Sequence, residues 1–322
     1  MSAVPQQWPR LGLGCASLGS PSLDDRAAEA VIATAVERGI RFFDVAPLYG
    51  GGLAEERLGR ALRPLPRDDY VLCTKTGVAR PYAQPPMPPG ATRRREFDCW
   101  DYSAAATRRS VETSLARLGT DRLDVVHLHD AEEHLDACLE AHAELTRLRG
   151  EGVVGGIGIG SNLVAPVEHL LARAPFDAFL LAGCYTLLDT SGRALIEHAN
   201  ARGIRVVAGG VFNSGVLAAW PQPAPTYAYA PASTHVITRT AAIGAISARH
   251  RVPIGAVALQ FVLAQPAITT VLIGPRTVEE LDENLRAATL PVPEALWDEL
   301  AAAGLIALDS PRPATRPSAA LA

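Results

Sequence analysis

A (β/α)8 barrel of the TIM type is the α/β fold class that this 322-residue sequence predicts. Three observations predict it. Eight short, near-continuous apolar runs recur along the chain, and helical stretches separate them. Several junctions share one punctuation, a helix ending at glycine before the next apolar run, as in "ERGI", "ARLGTDRLD", "LRGEGVVGGIG" and "ANARGIRVV". The length suits one such barrel, or else two ordinary domains. A doubly wound sheet is the competing arrangement.

The strand candidates in order are Leu11–Cys15, Arg41–Val45, Tyr70–Lys75, Leu123–His129, Gly156–Gly160, Asp177–Gly183, Ile204–Gly209 and Thr270–Gly274. Parallel strands are apolar on both faces, because helices cover one and core the other, so they read as runs rather than alternations. Among the helices, Asp24–Arg38 opens on acidic residues and stops at Gly39. Thr107–Leu118 carries Val111, Leu115 and Leu118 at helical spacing and stops at Gly119. Leu135–Leu148 stops at Gly150, and Arg193–Ala201 at Gly203. Residues 1–308 are read as one barrel domain and 309–322 as a loosely held tail. Two segments interrupt the rhythm. Ala79–Phe97 is rich in proline and arginine, and Trp220–Ser233 reads "WPQPAPTYAYAPAS". Both are expected as long loops beyond strand carboxyl ends, where barrel enzymes build their sites.

Apolar residues make up 48% and charged residues 20%, which fits a globular enzyme and excludes a disordered chain. A net charge of -4 gives no electrostatic reason for nucleic acid or an anionic membrane as partner. The five cysteines are scattered, form no CxxC pair and suggest neither a disulfide framework nor a metal site. Cys15, Cys73 and Cys184 sit in apolar runs and read as packing residues. No apolar leader and no 18-residue apolar span is visible, so a cytoplasmic setting is expected.

In a barrel, polar residues at strand carboxyl ends are the catalytic suspects. Asp44 ends the second strand, Tyr49 follows on "PLYGGG", Lys75 ends the third strand and His129 the fourth. Each alone has a plainer reading: a cap, a packed aromatic, a solvated strand end, a structural histidine. Together they make a coherent set. A phenol titrates near pH 10, too high for a base at neutral pH. A neighbouring ammonium stabilises the phenolate, a carboxylate keeps the ammonium charged, and an imidazole can bond or relay the substrate proton. That suits proton transfer at an oxygen whose carbon gains or loses hydride. His127 competes with His129, since two positions along a strand point the same way.

"FFDVAPLYGGGLAEERLGRAL", "VLCTKTG" and "LARLGTDRLDVVHLHD" resemble the aldo-keto reductase superfamily. Further matches, "GLGCASLG", "GGIGIGSN", "LLAGCYTLLD", "GGVFNSGVL" and "TTVLIGPRTVEELDEN", extend the likeness over nearly the whole chain. The resemblance implies a barrel enzyme using NAD(P), with the catalytic tetrad on Asp44, Tyr49, Lys75 and His129. "LHD" fits the family's histidine better than "VHL" does. Within the superfamily, "AGCYTLLD", "GGVFNSGVLA", "YAYAPA" and "ALQFVLAQPAITTVLIG" look like the D-threo-aldose 1-dehydrogenases, a group with L-fucose and galactose dehydrogenases and a pyridoxal 4-dehydrogenase relative. The implied reaction removes hydride from the anomeric carbon of a sugar and gives an aldonolactone, with Tyr49 as general base. Reduction of other carbonyls, oxidation of a pyridoxal-like substrate and a non-catalytic nucleotide sensor are the alternatives.

For the cofactor, the resemblance points to Ser161 and Asn162 at the nicotinamide amide. Asn213, Ser214, Gly215 and Leu217 fall in the segment over the diphosphate, where backbone N–H groups and a following helix N-terminus are expected to serve it. Gly274, Arg276, Thr277, Glu280, Glu283 and Asn284 fall around the adenosine. Arg276 suits a 2′-phosphate and Glu280 repels one, so NAD and NADP both stay open. Ala182 stands where many relatives have glutamine, and Gly209 or Gly210 where many have an aromatic residue. Tyr82, Trp100 and Tyr102 are candidate aromatics for an apolar sugar face, with packing of the loop onto the barrel rim as the equal alternative.

Overall fold

Each apolar run becomes a strand, and the strands close on themselves. The computed structural model describes residues 7–78, 100–228 and 230–313. The barrel takes β1 (Leu11–Gly14), β2 (Phe42–Asp44), β3 (Val71–Thr76), β4 (Leu123–His129), β5 (Val154–Ser161), β6 (Ala178–Ala182) and β7 (Arg205–Gly209). A small ribbon of β8 (Thr226–Tyr227) and β9 (Ala230–Pro231) stands apart, and β10 (Thr270–Ile273) completes the barrel. The closed order is β1-β10-β7-β6-β5-β4-β3-β2, all parallel neighbours, so the doubly wound alternative is excluded.

Strand alternation divides the core in two. Phe42, Val71, Cys73, Val125, Leu180 and Leu272 point inward and fill the barrel. Trp8 closes the amino-terminal end against Phe42, with ring centroids 5.0 Å apart. The other alternates, such as Leu13, Phe43, Leu72, Val126, Ile159 and Phe179, pack under the helices. Such a packed interior leaves chemistry only at the carboxyl rim.

The helices are α1 (Asp25–Glu37), α2 (Leu53–Leu62), α3 (Ala104–Leu118), α4 (Ala137–Gly150), α5 (Val164–Leu171), α6 (Arg193–Ala201), α7 (Thr234–Arg249), α8 (Ile254–Leu263), α9 (Val278–Thr289) and α10 (Glu294–Ala302). Asp24 caps α1 by accepting from the N–H groups of Arg26 and Ala27. Three boundaries differ from expectation for local reasons. Ser103 accepts from Ala106 N, so α3 starts three residues before the expected Thr107. Gly150 remains helical, and the left-handed stop falls on Gly152, with φ 81°. The segment Trp220–Ser233 is not wholly irregular: it carries the β8–β9 ribbon, which Thr226 Oγ1 ties to Ser214 O at 3.0 Å.

The expected loop Ala79–Phe97 lies outside the described residues; its flanks Val78 and Trp100 pair as an antiparallel bridge. The described start of the tail is tethered rather than loose. Asp309 pairs with Arg193 at 2.9 Å and Arg312 with Asp298 at 2.7 Å. Among the described residues, Cys15, Cys73, Cys138 and Cys184 are buried and unbridged. Among them, too, no helix is long and apolar enough to cross a membrane, and no side-chain group is arranged to hold a metal.

Candidate active site

Asp44 is the last residue of β2, and Lys75 extends the inward column of β3 above Val71 and Cys73. Lys75 Nζ donates to Asp44 Oδ1 at 2.5 Å and to Val45 O at 3.0 Å. Both side chains are at most 3% exposed. Burial alone would drive the lysine toward its neutral amine. The Asp44 carboxylate, then the Tyr49 phenol, overcome this and hold its pKa above the ordinary range. The pair is therefore a buried ammonium–carboxylate pair.

Tyr49 is returned over that ammonium by a turn that only glycine can make. Gly50, Gly51 and Gly52 have φ of 66°, 66° and 98°. At Gly50 a Cβ would lie 2.0 Å from Gly19 O, so the turn also packs where no side chain fits. Lys75 Nζ lies 4.8 Å from the Tyr49 ring centroid, within cation–π range. His129 stands at right angles to the same ring, with centroids 5.8 Å apart. The four residues that the sequence singled out thus share one rim.

His127 points inward as expected, but one layer deeper. It is in register with Lys75 and Gly158, and a Cβ on Gly158 would fall 2.2 Å from its Nδ1. Burial, then Lys75 and His129, push its pKa down to about 3, so it is a neutral core imidazole. His129, at the strand's end, is the histidine that faces Tyr49.

The opposite half of the rim has almost no side chains. In register with the polar residues stand Gly14 beside Asp44 and Gly160 beside His129, with Ala182 beside Gly209 further round. A Cβ would meet nothing closer than 3.6 Å at Gly14 or Gly160, nor closer than 3.4 Å at Gly209. Small residues here leave a hollow rather than serve a tight contact. Beside it, Asn213 is 5% exposed; its Nδ2 donates to Gly183 O at 3.4 Å, while its Oδ1 has no partner among the described residues.

The remaining predicted positions divide. Ser161 falls on the outward alternate of β5, where its single hydroxyl proton has two acceptors in reach, Leu163 O at 3.0 Å and Glu132 Oε1 at 3.2 Å. Asn162 extends one residue further, and its amide donates to Asp130 Oδ1 at 3.0 Å. Asn213, Ser214 and Gly215 form a left-handed turn with φ of 46°, 59° and 94°. No helix follows directly, contrary to expectation: the next, α7, begins at Thr234. Nor do three of the expected donors face outward. The N–H groups of Asn213, Gly215 and Leu217 bond within the turn, to Gly210 O at 2.9 Å and to Phe212 O at 3.0 and 3.1 Å. The Leu217 side chain is fully buried in the core, packed among apolar neighbours.

After β10, Gly274 and Pro275 accept from Ser17 Oγ at 3.4 and 3.0 Å. Thr277 caps α9 through Glu280 N, at 3.2 Å. Arg276 and Glu280 pair with each other: the carboxylate accepts from Arg276 N at 2.8 Å and from its guanidinium at 3.0 Å. Their opposed preferences are thus joined in one exposed ion pair. Glu283 and Asn284 lie on the next turn of α9.

Of the three candidate sugar aromatics, Trp100 meets His129 edge-on at 6.0 Å between centroids. Tyr102 is corrected. It is 2% exposed, stacks under Trp100 and donates its hydroxyl to His129 O, so it braces the strand end and offers no open face. Tyr82 lies outside the described residues.

Two arrangements escaped sequence reasoning. Asp130, in the left-handed region at φ 46°, holds the Asn162 amide. Glu55, fully buried in the first turn of α2, accepts from Thr74 and Arg117. The first left no signal. The second left one: Thr74 and Thr76 are polar on the outward face of a strand that otherwise reads as apolar.

Comparison with known proteins agrees with this geometry. The Aldo/keto reductase family model matches residues 10–304. A D-threo-aldose 1-dehydrogenase of Pseudomonas sp is 39% identical over 92% of this chain and 94% of its own length. A pyridoxal 4-dehydrogenase of Microbacterium luteolum is 34% identical over 92% and 94%. Among solved structures, the aldo-keto reductase AKR11C1 from Bacillus halodurans, in its holo form, superposes with a TM-score of 0.74 at 25% identity, over 95% of this chain and 94% of that one.

Proposed function

The chain belongs to the aldo/keto reductase family and is an NAD(P)-dependent oxidoreductase; from that premise we propose that it oxidises an aldose at C1 to the aldonolactone. The observation that carries this reading is the buried Lys75–Asp44 pair, at 2.5 Å, with Lys75 Nζ 4.8 Å from the Tyr49 ring centroid. An ammonium held charged beneath a phenol favours the phenolate. Tyr49 then takes the anomeric hydroxyl proton as the C1 hydride leaves, and His129, edge-on to the same ring, holds the sugar oxygen in line. When bound, the dinucleotide supplies the hydride acceptor. The rim fits that group: the hollow at Gly14, Gly160 and Gly209 admits a flat ring, and the unpartnered Asn213 Oδ1 suits a carboxamide NH2. Asn162 and the Arg276–Glu280 pair are proposed for the nicotinamide and adenosine ends.

Substrate class rests on the likeness to the D-threo-aldose 1-dehydrogenase, an L-fucose or galactose type of sugar being the first expectation. Trp100, beside His129, offers the aromatic face for its apolar side. The likeness to a pyridoxal 4-dehydrogenase favours pyridoxal as a second substrate. A screen of free aldoses and pyridoxal with NAD+ and with NADP+, followed by absorbance of the reduced cofactor, tests both. Aldose-dependent reduction supports the first reading. Activity with pyridoxal alone replaces it with the second, and activity only on carbonyls with reduced cofactor overturns both.

A further inference from the structure

Lys75 and Tyr49 sit on different elements, β3 and the turn before α2, so chain continuity does not hold them 4.8 Å apart. Their spacing must be set by contacts between those elements. On the rim side, among the described residues, they meet at the site itself. Behind the barrel wall there is a buried carboxylate. Glu55, on the first turn of α2, is fully buried. Its Oε1 accepts from Thr74 Oγ1 at 2.8 Å, and Thr74 is the outward neighbour of Lys75 on β3. Its Oε2 accepts from Arg117 Nη1 at 3.0 Å, and Arg117 belongs to α3.

Arg117 also touches the turn itself. A Cβ on Gly52, the last glycine after Tyr49, would lie 2.4 Å from Arg117 Cζ. The guanidinium therefore packs flat on the turn while it bonds the carboxylate, which joins β3, α2 and α3 at one point. We propose, on the reading of Tyr49 as the proton-transfer group, that Glu55 is a positioning residue that sets the Lys75–Tyr49 separation from outside the barrel. Stability alone does not account for it. A buried ion pair contributes little net stability over an apolar replacement of the same shape, so its geometry is what it adds. The lever is direct: Thr74 and Lys75 are consecutive, so movement of one moves the other.

The ionisable groups beside Tyr49 include Lys75, with Asp44 beneath it, and the His129 imidazole. Glu55 touches none of them, and loss of its negative charge would by itself ease ionisation of the phenol, so an upward shift can come only through position. The test is an ultraviolet titration of the phenolate, wild type minus Tyr49→Phe, repeated in Glu55→Gln, Thr74→Val and Thr74→Ser backgrounds. Glu55→Gln is expected to move the Tyr49 ionisation up by about one pH unit, a tenfold loss of phenolate at fixed pH. kcat at neutral pH should fall by about the same factor, while dinucleotide Kd stays within about twofold, because the change reaches the Lys75–Tyr49 pair and not the dinucleotide. Thr74→Val should shift it in the same direction by less, and Thr74→Ser should restore it.

A Tyr49 ionisation unchanged in Glu55→Gln, with activity following only the folded fraction, overturns the proposal. If Glu55→Gln does not fold, Thr74→Val decides in its place: no shift there overturns it equally. A wild-type protein that neither binds dinucleotide nor turns over any sugar would instead end the functional reading, which separates the two failures.

Discussion

Lys75→Met removes the ammonium and leaves the Asp44 carboxylate, 2% exposed, with no counter-charge. Breaking a buried pair from one side costs about 3–5 kcal/mol, because the remaining charge has lost both water and partner. For a domain of this size that corresponds to a fall in Tm of about 4–7 °C. Asp44→Leu alone should be costly too, since the buried ammonium must then lose its proton. The double variant removes both charges and should recover most of the stability, with a coupling of about 3 kcal/mol between the positions. Because the lysine pKa is raised, its stabilisation is present in full below about pH 10 and is lost only as pH climbs through the higher folded value. The coupling should therefore be flat from about pH 7 to about pH 9. Denaturant unfolding of the four proteins at those pH values measures it. Single-variant losses that add to within about 0.5 kcal/mol would refute a charged buried pair.

Other expectations follow from the same rim. Tyr49→Phe should lower kcat by at least about 100-fold with dinucleotide Kd nearly unchanged, as read by steady-state kinetics and fluorescence titration; equal loss of both would remove Tyr49 from proton transfer. Gly160→Ala places one methyl group in the hollow with nothing closer than 3.6 Å, so dinucleotide Kd should rise by about tenfold with Tm nearly unchanged. Unaltered affinity would move the nicotinamide elsewhere. Glu280→Gln breaks the Arg276 pair and should raise NADP+ affinity relative to NAD+ by about three- to tenfold, by isothermal titration. No change would take Arg276 away from the 2′-position.

The barrel was legible because its strands are apolar on both faces and its helices end on glycine, two signals set by local physics. Ends such as Gly150 against Gly152 were not, because either glycine could take the left-handed conformation and packing chose between them. Asp44, Lys75 and His129 stood out as candidates because polar groups at strand ends contradict their apolar context, and Tyr49 because it follows Asp44 on a glycine-rich turn. Tyr102 stayed open between sugar face and rim packing because an aromatic residue in a loop looks alike whether it faces solvent or braces a carbonyl. The donors of the 213–215 turn were misjudged for a related reason: "NSG" announces positive φ but not which N–H groups the turn itself consumes. Glu55 is one of two acidic residues in the first turn of α2, a place where such residues are common and unremarked. Its partners, Thr74 and Arg117, lie 19 and 62 positions away, a pairing that sequence order does not display.

The most direct measurement is label transfer from an aldose deuterated at C1. Incubation with the enzyme and oxidised dinucleotide should give reduced dinucleotide carrying the deuterium and an equimolar aldonolactone, both read by mass spectrometry. Reduced dinucleotide without the label, or folded enzyme that binds dinucleotide yet reduces none of it with any aldose, contradicts hydride removal at C1.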